Sequence, residues 1–223
     1  MSGKDSFTPE WFEGALPERS YRSAFKWGAP DGFKHPNPGL YALMKDIFSL
    51  DDAYFAEPQK LGLEEVVADA PISLGADQVA FFRNLLGPDN VHDDVYARLR
   101  VSYGKTMIDA LRLRDHKVEN LPDLVLHPRH RDDVETIVRY CHEQEIPLYT
   151  YGAGSSVTRG TECVKGGVSI HLGTHMNRIL SVNPVNQTVT VEPGILGPVL
   201  EEALNQAKER FNAPHAYTCG HFP

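Results

Sequence analysis

Apolar positions change their spacing three times along the chain. Residues 7–51 are dense in Trp, Phe, Tyr, Pro and Gly without a period, and Pro30, Pro36 and Pro38 predict little long regular structure there. Such aromatics read as an extended arm packed on another surface. Between 77 and 115 the spacing is helical: Val79, Phe82, Leu85 and Leu86 give one short amphipathic stretch, and residues 95–113 give a second. From Leu121 the chain alternates between short apolar runs and turn residues. Residues 121–128 predict a buried strand closed by Pro128. A helix follows, N-capped by Asp132 or Asp133, with Val134, Ile137, Val138 and Cys141 on one face. Residues 146–151 and 167–172 predict two more strands. Residues 178–182 and 188–191 flank Asn183-Pro184-Val185-Asn186-Gln187, a hairpin-type turn. A last helix opens at Pro198 and buries Leu200, Ala203, Leu204, Ala207 and Phe211. This order predicts an α+β or mixed α/β architecture.

Composition narrows the functional classes. Lys and Arg number 22 against 30 Asp and Glu, a net charge of −8, which disfavours a nucleic-acid binder. At roughly 100–200 residues per domain, 223 residues allow one large domain or two small ones. No apolar run approaches the roughly 20 residues that span a bilayer, so the expected location is cytoplasmic, with no transmembrane segment. The three cysteines, Cys141, Cys163 and Cys219, are an odd number without close pairing and fit a reducing compartment.

Candidate chemistry concentrates after the second predicted strand, in Thr150, Tyr151, Gly152, Ala153, Gly154, Ser155 and Ser156, followed by Val157, Thr158, Arg159 and Gly160. Small residues there let the backbone approach a bulky anion, and the hydroxyls of Ser155, Ser156 and Thr158 add donors. Two familiar phosphate loops fail on spacing. A Rossmann fingerprint needs glycine where Val157 stands, and a P-loop needs lysine after its last glycine, where Thr161 follows Gly160. Val157 also breaks the Gly-x-Ser-x-Gly elbow of a serine hydrolase.

Leu121-Pro122-Asp123-Leu124-Val125-Leu126-x-Pro128, Asp133-Val134, Ile146-Pro147 and the glycine loop resemble the opening of the FAD-binding domain of the vanillyl-alcohol oxidase (PCMH-type) superfamily. Met176-Asn177-Arg178-Ile179 and Val191-Glu192-Pro193-Gly194-Ile195 continue that pattern in order. Lys26-Trp27-Gly28, Leu111-Arg112-Leu113-Arg114 and Cys219-Gly220-His221-x-Pro223 are similar to the alkyldihydroxyacetonephosphate synthase branch and its bacterial relatives. The resemblance implies a PCMH-type FAD-binding domain in its first half, residues 116–223, preceded by an irregular and helical region, residues 1–115. It implies FAD wrapped at its pyrophosphate by residues 150–156. Relatives that attach FAD covalently through this loop carry histidine where Ser155 stands, so non-covalent FAD is expected. Thr174 and Glu192-Pro193-Gly194 are expected to shape the fold around the cofactor. The resemblance further implies an FAD-dependent oxidoreductase acting on a small organic or lipid-like substrate. The alternative is the synthase-type transferase of ether-lipid synthesis, in which a fatty alcohol replaces an acyl group without net redox change. A non-catalytic nucleotide-binding or interaction module is a second alternative. The catalytic residues are unknown and expected beyond Pro223. The chain is expected to be a fragment of a larger flavoenzyme, inactive and poorly soluble alone.

Other clusters read as structural. His127-Pro128-Arg129-His130, the pair His171 and His175, and His215 with Cys219 and His221 lack a ligand set of metal geometry, so no metal is expected. Cys141 reads as a packed core thiol. Asp51-Asp52, Glu64-Glu65, Asp93-Asp94 and Asp132-Asp133 read as caps or solvated faces. Trp11, Phe25, Trp27 and Phe33 read as an anchoring segment or an inter-subunit contact, as in a homodimer.

Overall fold

The computed structural model describes residues 16–25, 37–56, 60, 62–103 and 106–219. Trp11, Trp27 and Phe33 of the aromatic arm, and Gly220, His221 and Pro223 of the terminal motif, lie outside the described residues. The described residues fall into two compact units, one within Met1–Val66 and Ala110–Lys117, the other within Val67–Asp109 and Val118–Pro223.

The first unit contains α1 (Tyr21–Phe25), α2 (Pro38–Phe48) and α3 (Asp52–Ala56). Pro38 starts a helix of 11 residues, which corrects the expectation that the prolines here exclude long elements. Its missing N–H costs nothing at the first helical position, and the Asn37 side chain accepts a hydrogen bond from the Leu40 amide at 2.8 Å. Around α1, the Tyr21 amide donates to Glu64 O and the Arg22 amide to Gly62 O. The Tyr21 ring stacks on His116 with centroids 4.3 Å apart.

The second unit runs α4 (Ala76–Leu86), β1 (Val91–His92), α5 (Val95–Ser102), α6 (Met107–Arg114, divided between the units), β2 (Leu124–Leu126), α7 (Arg131–Glu143), β3 (Leu148–Tyr151), β4 (Val168–His171), β5 (Ile179–Asn183), β6 (Thr188–Val191), α8 (Gly197–Asn205) and α9 (Ala207–Phe211). Two predicted helices divide. Residues 95–113 break after Ser102, where Tyr103 takes an extended conformation, and the last helix breaks at Gln206. The cap of α7 is also corrected. His130 Nδ1 accepts from the Asp133 amide, while the buried Asp133 carboxylate takes three hydrogen bonds from Arg129 between 2.9 and 3.0 Å. Burial opposes that ionisation, but the Arg129 bonds outweigh it and hold the carboxyl below its usual range.

The main sheet has the order β1-β2-β4-β3. β2 and β3 both pair parallel to β4, and β1 pairs antiparallel to β2. Because α7 carries the chain from β2 to β3 across one face, that face is apolar. Phe82 and Leu86 of α4 and Ile137 and Cys141 of α7 pack on Leu124, Leu126, Val168 and Ile170. Phe81 stacks on Tyr140 with centroids 3.5 Å apart, and Phe82 meets the same ring edge-on. On the opposite face Val101 of α5 packs against Val125 and Tyr151. The buried Arg98 anchors α5, donating to Pro122 O at 2.6 Å and Ala70 O at 2.7 Å. Asp123 ties the start of β2 to that of β4, accepting from the Ser73 and Gly167 amides.

β5 and β6 form the expected hairpin. Asn183 Oδ1 closes its turn by accepting from the amides of Val185 and Asn186, both at 3.0 Å. No described helix is long and apolar enough to cross a membrane.

Candidate functional site

The parallel strands β2, β3 and β4 all end on one edge of the sheet, and the loop after β3 leaves from that edge. This is where open α/β sheets place their ligands. Gly154 has φ +71, and a Cβ there would stand 2.0 Å from the Tyr151 hydroxyl. Glycine is therefore required twice over, by backbone conformation and by close approach. Ala153 is exposed and lies outside the left-handed region, so its methyl group is accommodated.

The amides of Gly152, Ala153, Gly154, Ser155 and Ser156 meet no hydrogen-bond acceptor among the described residues. Five consecutive amides left over beside a glycine-rich turn suit a diphosphate, which accepts several N–H bonds at once. Ser155 is exposed. Ser156 Oγ accepts from the Gly160 amide at 3.2 Å, which returns the loop on itself. Arg159 sits at φ +63 with its guanidinium 2.6 Å from the buried Glu162 carboxylate, so its charge is spent within the loop. Residues 150–156 are thus contiguous at one strand end, and the backbone, more than the side chains, is what they offer.

Three glycines lock this loop to its neighbours. A Cβ on Gly173 would lie 3.6 Å from Gly194 O and 3.8 Å from Gly152 O, and one on Gly152 would lie 3.4 Å from Pro193 O. One on Gly194 would overlap Leu172 O at 2.3 Å. The turns after β3, β4 and β6 therefore meet backbone to backbone. Glu192 anchors the third of them. It accepts from the Arg178 amide at 2.8 Å and from its guanidinium at 2.7 and 3.0 Å. These bonds hold the Glu192 carboxyl below, and the Arg178 guanidinium above, their usual ranges.

Next to the loop lies a feature that single motifs did not reveal. A row of rings crosses the sheet along this edge in strand order. His92 of β1 meets His127 after β2 at 4.8 Å, His127 meets His171 of β4 at 4.9 Å, and His171 stacks on Tyr151 of β3 at 5.2 Å. The Thr174 hydroxyl bonds Nδ1 of both His127 and His171, the latter at 3.1 Å. Burial, then the neighbouring imidazoles and Arg100, pull His127 down to about 3; burial and Arg100 also lower His171. Burial raises Tyr151, against the pull of Arg100. His127 and His171 lie at the C-terminal ends of the parallel strands β2 and β4, whereas His92 joins them from the antiparallel β1, whose two residues give no strand signal in the sequence. His175 bears on His127 electrostatically but bonds elsewhere, its Nε2 2.7 Å from Asn90 Oδ1.

Residues 122–221 match the family described as FAD binding domain. The chain is 30% identical over 188 residues to alkyldihydroxyacetonephosphate synthase of Dictyostelium discoideum, covering 79% of this chain and 30% of the relative. It is 34% identical over 110 residues to glycolate oxidase subunit GlcD of Bacillus subtilis (strain 168), covering 49% of this chain and 21% of that protein. A solved structure of alkyldihydroxyacetonephosphate synthase superposes with a TM-score of 0.64 at 30% identity, covering 76% of this chain and 33% of the other. The chain spans about a third or less of the length of these relatives.

Proposed function

Since the chain belongs to the vanillyl-alcohol oxidase (PCMH-type) superfamily of FAD-binding proteins, we propose that residues 150–156 hold the FAD diphosphate through backbone amides, without covalent attachment. The observation that carries this reading is the run of five amides beside Gly154 that meet no acceptor among the described residues. With serine at position 155 the loop has no imidazole to bond the flavin ring. The chain's own residues bind and orient: the glycine junction fixes the loop, and the Arg178–Glu192 pair fixes the junction. Bound FAD supplies the redox chemistry, and the protein supplies its position and electrostatics.

The activity read from this is that of an FAD-dependent oxidoreductase acting on a small organic substrate. A synthase-type alkyl transfer is the second reading. It is favoured by similarity to the synthases that extends over 188 residues, against 110 for the glycolate oxidase subunit. Turnover of 2-hydroxy acids with a dye acceptor, set against fatty-alcohol exchange into an acylated ketone phosphate, separates the two.

Gly154→Asp tests the site. It places a carboxylate where the diphosphate would lie and adds a side chain at φ +71 against Tyr151. The native protein should purify yellow and the variant colourless, at matched circular dichroism. A variant that keeps its flavin with unchanged affinity would overturn the assignment.

A further inference from the structure

Resting on the reading that residues 150–156 hold a diphosphate, we propose that the imidazole row His92, His127 and His171, with Thr174 and Arg100, is the second wall of that site and takes up one proton as the diphosphate binds.

The row and the loop are physically continuous. Tyr151 links them, stacked on His171 at one end and with its hydroxyl against Gly154 at the other. A Cβ on Gly173 would lie 3.2 Å from His171 Cε1 and 3.8 Å from the Gly152 carbonyl oxygen, so the row and the loop meet at this glycine. The charged and titratable groups around His127 are His92, His171, His175 and Arg100, and those around His171 are Arg100 and His92, with Tyr151 beside it. All but Tyr151 are basic. Among the described residues no carboxylate pairs with Arg100 or with any imidazole of the row. In a chain of net charge −8, three half-buried imidazoles beside the exposed Arg100, with no acid partner among the described residues, are complementary to an anion.

Thr174 determines how many donors the row presents. Its hydroxyl has one hydrogen and bridges two Nδ1 atoms. It donates to one ring, whose own proton must then sit on Nε2. The other ring must donate its Nδ1–H to Thr174, which leaves its Nε2 a bare lone pair. The neutral pair therefore shows one Nε2–H donor and one Nε2 acceptor, and an acceptor repels phosphate oxygen. A single proton on the bare Nε2 converts the pair to two donors and leaves the Thr174 bridge intact. Burial among like groups keeps that proton off in the free protein, and the arriving diphosphate supplies the charge that holds it.

The experiment is calorimetric titration of flavin-depleted native protein with FAD, inorganic pyrophosphate and riboflavin, in buffers of differing ionisation enthalpy and from pH 5 upward. FAD and pyrophosphate should each take up about one proton and riboflavin none. The FAD Kd should rise about tenfold per pH unit between the free-state and bound-state pKa of the pair. His127→Gln and His171→Gln should each abolish the uptake, at unchanged circular dichroism. Absence of uptake by native protein with FAD overturns the proposal, and so does uptake that survives both variants. Uptake with pyrophosphate but none with FAD removes the cofactor from this wall. Failure of the loop assignment is read separately, from unchanged FAD affinity in Gly154→Asp.

Discussion

Gly194→Ala isolates the contribution of the three-glycine junction. Its methyl group would stand 2.3 Å from Leu172 O, 2.5 Å from Leu172 C and 2.7 Å from Gly173 Cα. All three are backbone atoms, so no side chain can swing away. To regain ordinary contact the turns after β4 and β6 must part by about 1 Å, which also strains the bond from the Gly194 amide to Met176 O, 2.8 Å in the native fold. Overpacking of this kind costs about 1–3 kcal/mol. At about 2 kcal/mol a chain of this size should melt roughly 4–8 °C lower. Gly152, held in the same junction, should shift with it and weaken flavin binding several-fold. The assay pairs thermal melting of the flavin-depleted protein with FAD titration. Ile137→Ala is the control, since it opens a cavity under α7 at a fully buried position and costs about 2–5 kcal/mol without touching the junction. It should destabilise at least as much yet leave FAD affinity unchanged. The reasoning fails if Gly194→Ala melts like the native protein, or if Ile137→Ala loses flavin to the same degree.

Other outcomes follow from the titrating groups. The Glu192 pKa is depressed by Arg178, so its pairing stabilises the fold above the ordinary Glu value of about 4.3 and is lost as pH falls through the depressed one. Glu192→Gln should therefore lower the melting temperature at pH 7 and make little difference at pH 2; equal differences at both would refute the pairing. Burial raises Cys141 to about 11, and burial with the Glu162 and Asp123 charges raises Cys163 to about 12; burial and the Glu201 charge also raise Cys219, but it alone of the three is exposed. One of the three thiols should react quickly with an aromatic disulfide and the others only on unfolding. Two thiols reacting at one rate in the native protein would count against this packing.

The glycine loop and the elements flanking it were legible because their signals are local. Val134, Ile137 and Cys141 mark α7 by period, and Asn183 closes its own hairpin. Pro38 misled because proline carries opposite meanings inside a helix and at its first residue, and only the cap at Asn37 decides between them. Asp133 looked like a cap and is instead the buried partner of Arg129, a role that depends on where the Arg129 side chain folds back. The imidazole row was beyond reach for a different reason. His92, His127 and His171 become neighbours only through the order β1-β2-β4-β3, which a linear pattern does not encode.

That strand order has a consequence for biosynthesis. β4 is the last of the four strands to leave the ribosome, yet it lies between β2 and β3 and supplies the ladder for both. Until His171 has emerged, β2 and β3 have no parallel partner, and the apolar faces of α4 and α7 have no complete sheet to cover. The nascent chain thus passes through an interval with unpaired strand edges and exposed apolar surface, the condition that invites aggregation and chaperone capture. A codon change that slows translation just before Val168 should lengthen this interval and lower the yield of folded protein, with no amino acid altered.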